Sequence, residues 1–369
     1  MNPKIKVCHI SQSAGGVETY ILSIIKNSEK NKFHHTVICY DNGTLAEKAP
    51  EVGAEVIMIP MVREINPVKD FKSLISVYGT LKKIKPDVIH AHSAKGGMFG
   101  RISGKFLKIP VLFSPNAFSY MGLSGVRKKI AFSIEKILKP ENTFLLTCCE
   151  SESEIALNEV KWSPKKIIND FPNSLVPSNF SRTLKQKDKI EIITLSRFNY
   201  QKNPLLFVEI ANHITKKFQN VIFKIIGAGY ADEQGQEVRD KISEYNLNDK
   251  IEIVNWCTLE EVREHLINAD IYLSTSRFEG LPFVLLEAMD YELPLVVSNV
   301  PGNKDLVKES FNGYKANSLD DYISGLSDLI KDSDKRLNYG KNSKILLKSK
   351  YNLSDNIIKL ESLYSSFCI

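Results

Sequence analysis

Short apolar runs alternate with longer amphipathic ones along the whole chain. In the first half, strands are expected at 4–10, 35–40, 55–60, 87–93, 111–115 and 143–149. Helical periodicity falls between them, as at 68–84 and 126–139. Most of the strand-like runs are apolar throughout, the pattern of strands covered on both faces. Such alternation predicts a parallel, doubly wound α/β sheet. The segment 171–189 (FPNSLVPSNFSRTLKQKDK) breaks the rhythm with Pro, Asn, Ser and charge, and reads as a linker. Strands are then expected at 190–196, 221–227, 251–255, 271–276 and 295–298. Helices open at Pro204 and Pro282, and a helical pattern runs from about Asp320 onward. Two similar α/β units joined near the middle suit a chain of 369 residues, which exceeds the usual reach of one core. A ligand in such a protein is expected in the cleft between units, at the carboxyl ends of the strands.

Composition narrows the class. Hydrophobic residues at 43% and charged residues at 25% fit a folded globular protein. No apolar run approaches the roughly 20 residues that span a bilayer. The opening residues lead into a strand without an apolar leader, so no secretory signal is expected. Six cysteines, at 8, 39, 148, 149, 257 and 368, lack a C-x-x-C spacing, which argues for reduced thiols and against a zinc site. The net charge of +6 is uneven: residues 1–180 carry 24 Lys and Arg against 16 Asp and Glu, a net +8. The first half is therefore expected to meet an anionic surface or ligand. No recognised nucleic-acid module interleaves aromatics with these cations, so no nucleic acid is expected.

Two loops of the second half carry the chemistry. Ser196-Arg197-Phe198-Asn199-Tyr200-Gln201-Lys202-Asn203-Pro204 leaves a strand and enters a helix. Asn203 suits the N-cap and Pro204 the first helical position. Arg197 and Lys202 then stand at a helix N-terminus, a pocket for an anion such as a diphosphate; two solvated surface cations would read the same way in isolation. The second loop runs from Ser276 through Glu279, Gly280, Leu281 and Pro282 to Glu287. Gly280 permits close backbone approach. Glu279 precedes the helix and Glu287 lies more than one turn inside it. Two acceptor-only groups so spaced suit hydroxyls at two ends of a long ligand, such as a sugar and a ribose. A solvated helix face is the alternative for Glu287.

The E-G-L-P-x-x-x-x-E pattern at 279–287, with R-x-x-x-x-K at 197–202, resembles the GT-B-fold retaining glycosyltransferases of family 4. Gly15-Gly16-Val17-Glu18, His90-Ala91-His92-Ser93 and Gly227-Ala228-Gly229 match further motifs, so the resemblance runs essentially the whole chain. It implies an N-terminal acceptor-binding domain (1–177), a nucleotide-sugar donor domain (178–352) and a last helix (353–369) crossing back onto the first. It also assigns roles: Arg197 and Lys202 on the donor diphosphate, Glu287 on ribose and Glu279 on the transferred sugar. Gly280 and Leu281 would offer backbone N–H groups, and the base would lie near 255–258. Gly15, Gly16 and Gly227 would line the donor site. The implied donor is a nucleoside-diphosphate hexose, UDP ahead of GDP, although no residue in view separates the bases.

In the first half, the full G-x-G-x-x-G of dinucleotide binders is absent after Ser11-Gln12-Ser13-Ala14-Gly15-Gly16. His90 and His92 are read as facing opposite sides of their strand, with His92 at the loop edge as the functional one; two structural histidines are the alternative. Asn116 stands where the family more often has His, so it can hydrogen-bond a hydroxyl but cannot take a proton. The resemblance implies retaining transfer without a protein nucleophile, with cations and helix N-termini meeting the leaving charge. No cofactor or metal is expected, since the lone D-x-D, Asp332-Ser333-Asp334, lies in a late polar stretch.

The segment 126–139 (VRKKIAFSIEKILK) is basic and amphipathic, and Lys95, Arg101, Lys105 and Lys108 add nearby charge. It suits either an anionic membrane surface or an ordinary core-facing helix. The first reading implies a cytoplasmic enzyme, peripheral at the inner face of the plasma membrane, with a saccharide or polyprenyl-diphosphate-linked saccharide acceptor. A nucleotide-sugar 2-epimerase of the same fold and a non-catalytic nucleotide-sugar-binding protein remain alternatives.

Overall fold

A computed structural model describes residues 3–12, 15–40, 44–62, 65–183, 187–229 and 233–368. The chain divides into two compact units. Unit 1 comprises Met1–Asn173 and Leu353–Ile369, and unit 2 comprises Ser174–Asn352.

Unit 1 alternates β1 (Ile5–Ser11), α1 (Gly16–Asn27), β2 (Phe33–Cys39), α2 (Thr44–Glu51), β3 (Glu55–Met58), α3 (Pro67–Ile84), β4 (Val88–His92), α4 (Ser93–Leu107), β5 (Val111–Ser114), α5 (Gly125–Ile137), β6 (Thr143–Leu146), α6 (Glu150–Ile155) and β7 (Ile167–Ile168). Its strands pair in parallel in the order β3-β2-β1-β4-β5-β6-β7. Unit 2 continues with β8 (Ile190–Leu195), α7 (Pro204–Lys217), β9 (Val221–Ala228), α8 (Gly235–Glu244), β10 (Ile251–Asn255), α9 (Leu259–Asn268), β11 (Ile271–Ser274), α10 (Phe283–Asp290), β12 (Leu295–Ser298), α11 (Asn303–Leu306), β13 (Gly313–Ala316), α12 (Leu319–Lys331) and α13 (Ser333–Lys350). Its order is β10-β9-β8-β11-β12-β13, again parallel. The last helix, α14 (Leu353–Ser366), belongs to unit 1, where Tyr364 is fully buried.

Each unit is thus a doubly wound α/β sheet. The expected strands form within a few residues of their expected ends, because apolar side chains on both faces meet helices. Cys8, Ile10, Ile89 and Ala91 bury one face of the first sheet against Val77, Leu81 and Phe99. In unit 2, Ile192, Phe223 and Ile225 pack with Phe207, Ile210 and Ile214 of α7.

The described part of the segment 171–189 is not a free linker. The chain divides at Asn173, and the residues that follow are fastened to unit 2. Ser178 N donates to Asp290 at 2.9 Å. The Arg182 guanidinium donates to the carbonyls of Leu266 (2.9 Å), Ala269 (2.7 Å) and Tyr291 (2.9 Å). A cation satisfying the orphan carbonyls at helix C-termini anchors a segment that composition alone marks as loose. All six cysteines are free.

Candidate active site

In unit 2 the strand order reverses between β8 and β11, which are neighbours though far apart in sequence. The loops that follow them therefore emerge side by side, at the place where open α/β sheets bind ligands. These are the two motif loops, and they are knitted into one surface. Arg277 N donates to Gln201 O at 2.8 Å. Its guanidinium donates to Tyr200 O at 2.7 Å and lies 4.3 Å from the Tyr200 ring centroid. Thr275 Oγ1 donates to the carbonyls of Lys202 and Asn203, each at 3.0 Å. An Asx turn, in which Lys202 N donates to Asn199 Oδ1 at 3.0 Å, shapes the first loop.

Glu279 is buried at the centre of this surface. Its Oε1 accepts from Lys202 Nζ at 2.7 Å and Ser276 Oγ at 2.8 Å, and its Oε2 accepts from Gln201 Nε2 at 3.1 Å. Behind it the backbone is close-packed. Gly302 has φ +82°, and a Cβ there would lie 2.3 Å from the Gly280 carbonyl oxygen, so only glycine fits. Leu281 turns its side chain into the core.

Arg197 stands half-buried at the end of β8, with no hydrogen bond or ion pair to its side chain among the described residues. Beside it, Gly227 near the end of β9 has φ +99°, a backbone that glycine adopts without strain. Glu287 lies half-buried within α10. Burial pushes its carboxyl up to about 7, well above the ordinary carboxylate range. The buried phenol of Tyr272 on β11 is raised first by burial, and the charges of Glu287 and Glu279 add to it. Glu279 in the loop after β11 and Glu287 in the helix that follows it thus lie on one β11–α10 connection. At the end of β10, Trp256 is 73% exposed beside the expected base region, and Thr258 caps α9.

Two local expectations need correction. Asn203 adopts the left-handed conformation (φ 53°) and makes no side-chain cap; Asn tolerates that backbone better than most residues. Pro282 occupies the N-cap of α10 rather than its first turn. The D-x-D at 332–334 is a helix start, where Asp332 Oδ1 accepts from Lys335 N at 2.8 Å.

In unit 1, Gly15 (φ +78°) caps α1 and Gly16 opens it; Ser13 and Ala14 of the same loop lie outside the described residues. His90 and His92 do not face opposite sides. Residues two apart on a strand share a face, and their rings lie 4.0 Å apart. His92 does end β4, but it is fully buried there. His9 and His35, from the neighbouring strands, join them. His9 Nδ1 is 3.2 Å from His92 Nε2, and His9 Nε2 is 3.0 Å from His35 Nδ1. His90 bridges Tyr364 Oη (2.7 Å) and Ser114 Oγ (2.9 Å), which ties α14 to the sheet. Burial first, and then neighbouring imidazoles, hold His9, His90 and His92 far below the usual range, so they stay neutral.

Asn116 sits at the end of β5 with φ 52°, followed by Ala117 at φ 78°, a backbone that alanine rarely adopts. The buried Glu152 carboxylate holds this turn, accepting from Ala117 N and Cys148 N, each at 2.9 Å. Lys95 and Arg101 add no surface charge, because both are buried. Lys95 pairs with Asp70, and Arg101 makes a two-oxygen pair with Glu135 at 3.0 and 3.1 Å.

The sequence profile described as "Glycosyl transferases group 1" matches residues 176–345, and "Glycosyl transferase 4-like domain" matches 15–167. Between them the two profiles take in most of both units, leaving out β1 and α14. The chain belongs to the group 1 glycosyltransferases. This glycosyltransferase is 29% identical, over 98% of its length and 97% of the relative's, to the Escherichia coli UDP-Gal:alpha-D-GlcNAc-diphosphoundecaprenol alpha-1,3-galactosyltransferase. It is 26% identical to the E. coli O-antigen biosynthesis glycosyltransferase WbnH, over 87% of this chain and 91% of that one. Among solved structures, Anabaena Alr3699/HepE in complex with UDP and glucose superposes with a TM-score of 0.81, at 15% identity, over 98% of this chain and all of that one. The lipopolysaccharide outer core galactosyltransferase WaaB gives 0.72 at 18% identity, over 97% of this glycosyltransferase and all of that chain. These likenesses show that its two Rossmann-like units are those of the GT-B fold.

No motif in the sequence marks Gln201 or Ser276, which grip Glu279, nor His9, His35 and Glu152. The two loop residues were visible beside the motif. Ser276 is three residues from Glu279, whereas the contact of Gln201, 78 positions away, depends on β8 and β11 being neighbours.

Proposed function

We propose that this glycosyltransferase moves a hexose from UDP to a saccharide carried on a lipid diphosphate, with retention of anomeric configuration and without a metal ion, in surface-glycan assembly. The observation that carries the reading is the Lys202–Glu279 contact at the β8–β11 switch point, with Arg197 at the end of β8 and Glu287 in the helix that follows β11. The activity of the E. coli relative, similar along nearly the full length, supports the donor and acceptor class.

In this reading the bond from C1 of the sugar to the diphosphate oxygen breaks while the acceptor oxygen bonds to C1 on the same face. The acceptor proton passes to the departing phosphate oxygen. Arg197, Lys202 and the N-terminus of α7 stabilise the negative charge that develops on the leaving group. Glu279 takes sugar hydroxyls and Glu287 ribose hydroxyls, with the base beside Trp256. Gly227 and Gly280 keep the backbone close to the ligand, and Leu281 supports that turn from beneath. Acceptor contacts fall to unit 1, with Asn116 as a hydrogen-bonding group. His92, buried under its strand end, takes no part in proton transfer.

Attachment to an anionic membrane surface is part of the proposal. On α5, Val126, Ile130 and Ile137 are exposed among Arg127, Lys128, Lys129 and Lys136. An apolar groove of about 490 Å³ runs between α4 and α5, lined by Met98, Ile102, Ile130, Ile134 and Ile137. On α3, Val68, Phe71 and Ile75 are exposed at helical spacing. No helix among the described residues is long and apolar enough to cross a membrane.

The test is incubation of the purified protein with UDP-hexoses and a diphosphate-linked saccharide, with and without EDTA. The product is read by mass spectrometry and its anomeric configuration by NMR. Transfer that survives EDTA and keeps the configuration is expected. Absence of transfer from every UDP-hexose refutes the reading, and interconversion of donor alone indicates an epimerase.

A further inference from the structure

The contact between Lys202 and Glu279 sets two proposed duties against each other. One residue is to hold the donor diphosphate and the other the donor sugar, yet here they hold each other at 2.7 Å with little exposure on either side. A carboxylate has four lone-pair sites, two on each oxygen. Oε1 of Glu279 spends both on Lys202 and Ser276, and Oε2 spends one on Gln201. A single acceptor site remains, too few for two neighbouring sugar hydroxyls.

We propose that Lys202 is a tether that keeps Glu279 closed to the sugar until a donor diphosphate draws the ammonium away. The inference rests on the donor reading above and adds a gate to it. A diphosphate offers Lys202 more charge than one carboxylate does. When Nζ moves to it, Ser276 and Gln201 still hold the carboxylate in place, and Oε1 regains a lone pair. Glu279 then presents one free acceptor on each oxygen, the number a vicinal diol requires. Sugar recognition is thereby coupled to diphosphate recognition. After transfer the sugar no longer occupies Glu279, so Lys202 returns to it and the spent UDP loses a cation. The tether therefore favours an intact donor over UDP alone and speeds product departure.

The coupling has a counterintuitive consequence. Glu279→Gln keeps the shape but weakens the hold on Lys202, so UDP alone should bind more tightly, by about tenfold, the difference between a charged and a neutral hydrogen bond. Removing a nearby negative charge would also help any anion, so a second background separates the two effects. In Lys202→Met there is no ammonium to release, and adding Glu279→Gln should change UDP affinity less than about twofold.

Calorimetric titration of UDP into the wild type, both single variants and the double variant reads this directly. Equal gains in both backgrounds would assign the effect to the carboxylate's field and overturn the tether, as would no gain in the wild-type background. Glu279→Asp provides an independent arm should the Gln variant not fold. It keeps the charge but withdraws it by about one C–C bond, ~1.5 Å, and should tighten UDP several-fold; unchanged or weaker binding would overturn the tether. If the wild type binds no UDP at all, the donor reading itself fails and takes the tether with it.

Discussion

The side-chain nitrogen of Gln201 lies 3.1 Å from Oε2 of Glu279, so the residue before Lys202 holds the carboxylate that Lys202 also touches. The same nitrogen donates to the Phe278 carbonyl at 3.1 Å, which fixes the loop as well as the side chain. Gln201→Ala should leave UDP affinity within about threefold and lower kcat/KM for the sugar donor by roughly tenfold, the worth of about 1.4 kcal/mol of lost hydrogen bonding to a charged group. Steady-state kinetics beside UDP titration separate the two quantities. A parallel loss in both would mean that the loop has collapsed rather than that Glu279 has lost its aim.

Glu287 makes a prediction about pH. Its folded carboxyl titrates at about 7, against 4.5 for the unperturbed group. The folded state therefore binds the extra proton between these values, and stability falls as pH rises through that window. The order of the effect is about 3 kcal/mol above pH 7. Glu287→Gln should raise the Tm of the free protein at pH 8 by several degrees, with the gain shrinking towards pH 5, while donor binding weakens at least tenfold. Melting curves at the two pH values, without ligand, check the sign.

The buried pair of Arg101 and Glu135 joins α4 to α5, and the guanidinium also lies 4.0 Å from the Phe113 ring centroid. Removing one partner strands the other charge in the core. Arg101→Leu should cost about 3–5 kcal/mol, readable in denaturant unfolding. A cost below 1 kcal/mol would mean that water reaches the pair.

The exposed face of α5 makes a membrane prediction. The protein should co-sediment with vesicles containing anionic lipid and not with neutral ones, and binding should fall as salt screens the lysines. Charge reversal of Arg127, Lys128 and Lys129 together should abolish it. Equal binding to neutral and anionic vesicles would contradict the charge-based account.

Ile190, Ile192, Ile271 and Leu273 announce strands because burial on both faces needs apolar runs, and Pro204 and Pro282 punctuate the helix starts. The edge strands β7 and β13 escape notice, the first being two residues long and the second opening on Gly313, whose role is close approach to the Leu295 carbonyl. Charge counting overstates the basic surface, since nothing in the sequence shows that Lys95 and Arg101 are buried against Asp70 and Glu135. His90 and His92, two apart on one strand, share a face, and the His9–His35–His92 contacts follow from strand order, which no local pattern contains. The same limit applies at the site. Arg197, Lys202, Glu279 and Glu287 can be named from their loops, but that Lys202 rests on Glu279 depends on β8 lying beside β11.

Arg197 offers the most direct test, because its side chain has no ion-pair partner among the described residues and its replacement disturbs no described salt bridge. UDP titrated calorimetrically against wild type and Arg197→Ala should show affinity falling by at least tenfold, with melting temperature nearly unchanged. Equal affinity in the two proteins would contradict the placement of the diphosphate at this strand end, and with it the donor site proposed here.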